Sequence, residues 1–315
     1  MRKLIVGSQA RALGTVSEYD LRRRYERVHR NIYMPRGHQL TLDERIDGAY
    51  LRSGRHGVVA GVAASALLGA QWVDGDIPIE MIWDVSRAPA GIIVQRDRVA
   101  PDEINVEDCV SVTTPARTAF DIGRRIDRHD ALARLDALQR ATFFRPAEVL
   151  TLAERYRGAR GLKQLRALLP LVDGGAASPR ETRLRLLLID AGFPVPRTQI
   201  QVVSGIRPLR ALDMGWEDFM VAIEYDGGLH QTDRYQYVKD LRVLPQVERM
   251  GWLVLRIIKE DSDAEILVRV YRALISRGWD GKLRKPHPSV AALVARLPLS
   301  TSALTLSREN RNLAG

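Results

Sequence analysis

Apolar and polar positions change period several times along the chain, and those changes predict its elements. Ser17 stands three residues before Asp20, and Thr41 three before Glu44. At that spacing a hydroxyl and a carboxylate satisfy each other's backbone N–H at a helix start. Two short helices are predicted there, with Asn31-Ile32-Tyr33-Met34 as a brief β-prone run closed by Pro35 between them. The uncharged run from Gly57 to Val73 is rich in Gly, Ala and Ser and is predicted as one buried helix, slightly short of a membrane span. Clusters of β-branched residues at 77–83, 91–95 and 106–113 predict a small sheet. Thr114-Pro115 then opens a helical run, followed by helical segments at about 128–141, 146–155 and 161–169. The Gly-rich turn Asp173-Gly174-Gly175 is the expected domain boundary.

Beyond that turn the pattern reads helix (179–191), strand (198–203), strand (208–214), strand (220–226), helix (232–250), strand (252–258), helix (261–277). An αβββαβα order predicts a mixed sheet with helices on both faces, in an α/β chain of the α+β kind. Four regions result: a basic, winged-helix-like module over 1–55, a mostly helical region with a small sheet over 56–172, the αβββαβα domain over 178–280, and a loosely held tail over 281–315.

Charge changes this picture by naming a class of partner. Lys and Arg number 48 against 38 Asp and Glu, a formal net charge of +10, and a surplus of that sign favours polyanions. Most of the surplus is Arg, which fits phosphate recognition through a planar fork and equally the base composition of a GC-rich genome. The single cysteine, Cys109, excludes an intramolecular disulfide and a thiolate zinc cluster, and is expected as a small buried side chain. No leader pattern opens the chain, so a cytoplasmic protein without membrane association is expected. Neither a phosphate-binding loop nor a dinucleotide fingerprint occurs.

The candidate chemistry lies in the last region. Asp213 ends one predicted strand, Glu224 and Asp226 lie on the next, and Gly215-Trp216-Glu217-Asp218 is the turn between them. A hairpin centred on that turn sets 213 opposite 222, and period-2 alternation then places Asp213, Glu224 and Asp226 on one face. Crowded carboxylates call for a compensating cation or proton, and an oxygen-rich set suits Mg²⁺ or Mn²⁺. The plainer alternative sends Asp226 into a turn with Gly227-Gly228.

Ala211-Leu212-Asp213-Met214, Val221 to Gly227, His230 and Gly251-Trp252-Leu253-Val254-Leu255-Arg256 together resemble the very-short-patch-repair-like domains of the PD-(D/E)xK nuclease superfamily. The resemblance covers about 178 to 280 and implies a restriction-endonuclease-like fold. It implies Asp213 and Glu224 as metal ligands, the Tyr225 carbonyl completing the shell, and Glu181 as a further carboxylate. Ser178-Pro179-Arg180-Glu181 also reads as a capping box. The superfamily's usual lysine is replaced here by Asp226, which leaves His230, or Lys239 on the following helix, to assist the attacking water. Lys239 and Arg242 also stand where they could meet nucleic acid.

Leu21 to Arg30 combines a helical pattern with a dense basic face that includes Arg22, Arg23, Arg24 and Arg27. It fits an element contacting phosphates or an ordinary solvated face. This run, Asn31 to Met34, Ala63 to Gly69 and Val112 to Asp121 together resemble the AbiE-type antitoxins, which join a winged helix to a regulatory domain. Two expectations follow. The first is a metal-dependent DNA endonuclease acting on double-stranded DNA, with a homodimer allowed. The second is a DNA-binding regulator of antitoxin type whose nuclease fold has lost catalysis.

Overall fold

The structure is a computed structural model that describes residues 4–205, 207–226 and 243–283. The chain divides into two compact units, Met1–Arg183 and Leu184–Gly315. His230, Lys239, Arg242 and the tail beyond 283 lie outside the described residues.

The first unit opens with β1 (Ile5–Val6), α1 (Gly7–Ala12), α2 (Glu18–Arg24), β2 (Tyr25–His29), β3 (Ile32–Pro35) and α3 (Leu42–Arg52). Both predicted capping boxes form: Ser17 and Asp20 cap α2, and Thr41 and Glu44 cap α3. The basic run is not one helix. The backbone becomes extended at Tyr25 (φ −120°, ψ 158°), because the β-branched and aromatic residues from there pair with β3, which in turn pairs with β1. Asn31, at φ 67°, turns the β2–β3 hairpin.

A five-stranded sheet follows, ordered β6-β5-β4-β8-β7, from β4 (Val58–Val59), β5 (Ile79–Ile82), β6 (Ile92–Gln95), β7 (Ile104–Glu107) and β8 (Val110–Thr113). Two expectations change here. The uncharged run is a short strand, β4, and then α4 (Gly61–Leu67), broken where Gly61 takes φ +58°. A Cβ at Gly61 would stand 2.3 Å from the Glu80 carboxylate, which accepts the N–H of Val62 at 3.2 Å and so holds the start of α4. The expected strand 106–113 is the β7–β8 hairpin, turned by Asp108 and Cys109, both at positive φ. Cys109 is therefore exposed on a turn and not buried. Ile46, Ala49, Ala63, Ala64, Ile79, Met81, Val59 and Val112 form one core between α3, α4 and this sheet.

Helices α5 (Pro115–Arg125), α6 (Arg128–Thr142), α7 (Pro146–Arg155) and α8 (Leu162–Leu168) follow as the pattern predicts. Phe120, Leu132, Leu135, Leu138, Val149, Leu165 and Leu168 are all buried along them.

In the second unit the expected order is present: α9 (Pro179–Asp190, which begins in the first unit), β9 (Arg197–Ser204), β10 (Arg207–Trp216), β11 (Val221–Asp226), helical residues 243–249 (α10), β12 (Leu253–Ile258) and α11 (Asp263–Ser276). The sheet is mixed, ordered β12-β11-β10-β9, with β11 and β12 parallel. Val221 and Ile223 pack with Leu188 of α9 and Val270 and Leu274 of α11, whereas Ala222 packs with Val247 of α10. Alternation along β11 thus puts helices on both faces of the sheet.

Candidate functional site

Three polar arrangements come into question, and each is set by its local backbone. The basic surface of the N-terminal elements is the simplest. Arg22, Arg23 and Arg24 on α2, and Arg27 on β2, are exposed. Arg22 donates to Glu18 at 2.7 Å, with side chains 80% and 55% exposed, and Arg24 lies 3.6 Å from Asp20. Pairs this exposed hold weakly, so both guanidinium groups can turn to a stronger anion. Arg36 joins the surface from the far side of the hairpin by donating to the backbone oxygen of Arg22 at 2.8 Å. Sequence pattern alone misses Arg36, because only the β2–β3 pairing brings it beside α2.

The acidic strands differ from expectation. Met214 pairs with Ile223 and Gly215 with Ala222, and one further step of this register sets Asp213 across from Glu224, not from 222. Leu212 and Met214, two residues apart, pack into different clusters. Between them stands Asp213, whose facing residue on β9, Gln199, carries φ 49°. Asp213 Oδ2 accepts the backbone N–H of Tyr225 at 2.8 Å, so the carboxylate extends the β10–β11 ladder past its last pair.

Glu224 is buried and is met by Arg210, whose Nε donates to Oε1 at 3.0 Å while Nη2 donates to Oε2. This fork supplies the positive charge that the carboxylate needs. Both carboxylate oxygens of Glu224 thus carry a guanidinium donor. Among the described residues no group of three or more His, Cys, Asp or Glu is placed to hold a metal. Asp226, half-buried, continues β11 opposite Ile258 of β12. Glu181 closes a capping box: Oε2 accepts the N–H of Ala177 and Oε1 the hydroxyl of Ser178, both at 2.9 Å, and its own N–H donates to Ser178 Oγ at 3.2 Å.

The third arrangement is a buried ionic network around α5. Arg117 is 1% exposed. Its Nε donates to Asp121 at 3.0 Å, and its Nη1 donates to the Arg98 backbone oxygen at 2.9 Å and to Glu103. Glu103, buried beneath it, also accepts from Arg155 at 2.6 Å and from the Tyr156 hydroxyl at 2.7 Å. Asp121 accepts from Arg124 at 2.9 Å, and Asp97 accepts from Arg124 and, at 2.6 Å, from Arg125. Burial alone would raise the Asp97 carboxyl, but Arg125 and Arg124 outweigh it and hold the group below the usual carboxylate range. Burial works against the Arg117 charge, and Asp121 and Glu103 more than restore it. The signal was present in Arg117-Thr118-Ala119-Phe120-Asp121-Ile122-Gly123-Arg124-Arg125, since one acid between three arginines at i−4, i+3 and i+4 forms a single helix face.

A sequence-family model described as the AbiEi antitoxin C-terminal domain matches residues 59–171, the stretch that contains this network. Among curated proteins, two from Mycobacterium tuberculosis, one of strain CDC 1551 / Oshkosh and one of strain ATCC 25618 / H37Rv, are each 31% identical to the chain over 153 residues. That alignment covers 49% of this chain and 56% of theirs, and both are named only as uncharacterized. The chain spans about half the length of these curated relatives. No solved structure matches.

These findings correct the nuclease reading. The resemblance of residues 178–280 to the PD-(D/E)xK superfamily is not supported, since the family match is to an antitoxin domain over 59–171 and no nuclease family is found. The expected metal-dependent endonuclease falls with it. On β10 and β11, Arg210 pairs with Glu224 and the Tyr225 amide donates to Asp213.

Proposed function

We propose that this protein is a DNA-binding regulator of the antitoxin type, in which a winged-helix-like N-terminal module contacts the duplex. The observation that carries this reading is the order β1–α1–α2–β2–β3, two short helices followed by a hairpin, with Arg22, Arg23, Arg24 and Arg27 exposed along the second helix and the first hairpin strand. In that order the second helix enters a groove and the hairpin lies along the backbone. The family match over 59–171 and the formal charge of +10 support it. A homodimer would present two such modules to half-sites one helical turn apart. No helix among the described residues is long and apolar enough to cross a membrane.

The test is fluorescence anisotropy with duplex DNA from upstream of the protein's own gene and with an unrelated duplex, at several salt concentrations. Log K should fall with log salt by about 0.9 per phosphate contact. Replacing Arg22, Arg23, Arg24 and Arg27 together by Ala should flatten that slope. An unchanged slope would make α2 a solvated face and refute the assignment.

A further inference from the structure

The buried network has an outer side. Arg98, Arg117, Arg124, Arg155, Arg157 and Arg160 line a cavity of about 470 Å³, together with Asp97, Phe120, Tyr156, Gly158 and Ala159. Six arginines face it against one carboxylate. They come from the segment after β6, from α5, from the end of α7 and from the turn into α8, so no single helix surface explains their meeting. The turn is fixed where it closes. Gly161 takes φ +83°, and a Cβ there would stand 2.0 Å from the backbone oxygen of Arg124.

The arginines are not equally occupied. Arg117 and Arg155 are committed to Asp121, Glu103 and Asp102, and Arg157 lies 3.2 Å from the exposed Glu154. Arg98 and Arg160, both exposed, enter no ion pair among the described residues. Arg124, with a side chain 6% exposed, keeps a buried Nε that has no hydrogen-bond partner among the described residues. A buried charged donor left unmatched is costly, and Arg124 is one of the residues lining this cavity, which is large enough for a small molecule. Planar forks held rigid by buried carboxylates are suited to phosphate oxygens.

We propose that this cavity binds a small phosphate-bearing ligand of about nucleotide size, held through Arg98 and Arg160 at the rim over the positive wall made by Arg124. The proposal does not rest on DNA binding by the N-terminal module, whose arginines belong to different elements. The shared chemistry, a phosphate group, could also come from a nucleic-acid backbone, and a third probe separates that source.

The full-length protein is titrated calorimetrically with inorganic pyrophosphate, with a nucleoside triphosphate, and with a short DNA duplex, alongside Arg98→Ala, Arg160→Ala and the control Arg30→Ala. Pyrophosphate and the nucleotide should bind saturably at one site per chain. Each of the first two variants should weaken that binding about tenfold or more, as expected for loss of a charge-assisted contact, and Arg30→Ala should leave it unchanged. Thermal unfolding of both rim variants should match the parent, because neither side chain is buried. Absence of saturable binding by both small ligands overturns the proposal. So does binding that survives both rim substitutions, or a rim effect seen only on the duplex.

Discussion

The two units each bury charge, and they do so in different ways. Around α5 four arginines and three carboxylates interlock so that Glu103 and Asp121 each accept from more than one guanidinium. On β10 and β11 a single fork, Arg210 to Glu224, stands beside an aspartate used as a backbone acceptor. The lesson concerns acidic clusters. Asp213, Glu224 and Asp226 attract notice because they are close in sequence, yet what a carboxylate can do depends on the cation nearest to it in space. Glu103 and Asp121, eighteen residues apart in number, form the denser site.

Removing the arginine at the centre of each arrangement should separate the two units most clearly. Arg117→Met leaves Glu103 and Asp121 buried with fewer partners and should cost about 3–5 kcal/mol in urea unfolding, the range for stripping one partner from a buried ion pair. A loss below about 1 kcal/mol would show that the neighbouring arginines close over the gap. Arg210→Met should cost less, about 1–3 kcal/mol, because the Arg210 side chain is 22% exposed and water can reach it. Adding Glu224→Gln to Arg210→Met should recover part of that loss. If Arg210→Met proves the more damaging of the two, the ranking of the two interiors is reversed.

Acid should discriminate next. The Asp97 carboxyl is held below its ordinary value in the folded protein by Arg125 and Arg124 against the pull of burial. A depressed folded pKa contributes stability above the unfolded value, about pH 4, and that contribution is lost as pH falls through the folded value. The stability difference between the parent and Asp97→Asn should therefore be level from about pH 5 upward and shrink below about pH 4. A gap that stays constant down to pH 3 would mean that Asp97 titrates alike in both states.

Much of the fold was legible in the sequence because its signals were local. The order of elements from α9 to α11 and the run from α5 to α8 follow apolar periodicity, and Ser17, Thr41 and Ser178 announce their helices through hydroxyl and carboxylate spacing. The misses are long-range. Nothing in Leu21 to Arg30 says that Tyr25 leaves the helix; the pairing of β2 with β3 decides it. The break at Gly61 depends on Glu80, nineteen residues away. At the acidic strands the pairing partner of Asp213 depends on where the turn closes, and the register of β10 with β11 sets it across from Glu224 and not from 222. The Arg210–Glu224 pair is not legible in the sequence, because an arginine three residues before an aspartate on a strand has no fixed relation to a glutamate on the next.

On ordinary helix capping the two units should agree. Thr41 caps α3 in the first unit and Ser262 caps α11 in the second, each accepting the N–H of a glutamate whose carboxylate returns to the cap's own N–H. Neither cap touches the buried charges. Thr41→Ala and Ser262→Ala should each cost about 1 kcal/mol, the usual price of an N-cap hydroxyl. The Glu265 carboxyl is held low chiefly by the Ser262 hydroxyl and then by its backbone N–H, so Ser262→Ala should also let Glu265 titrate nearer its ordinary value, readable by carbon-detected NMR. Matching costs would show that ordinary helix capping is transferable between the units and that their difference lies in the buried charges. A cost at Thr41 well above that at Ser262 would show instead that α3 transmits strain into the sheet it covers, since Ile46 and Ala49 of that helix are fully buried against it.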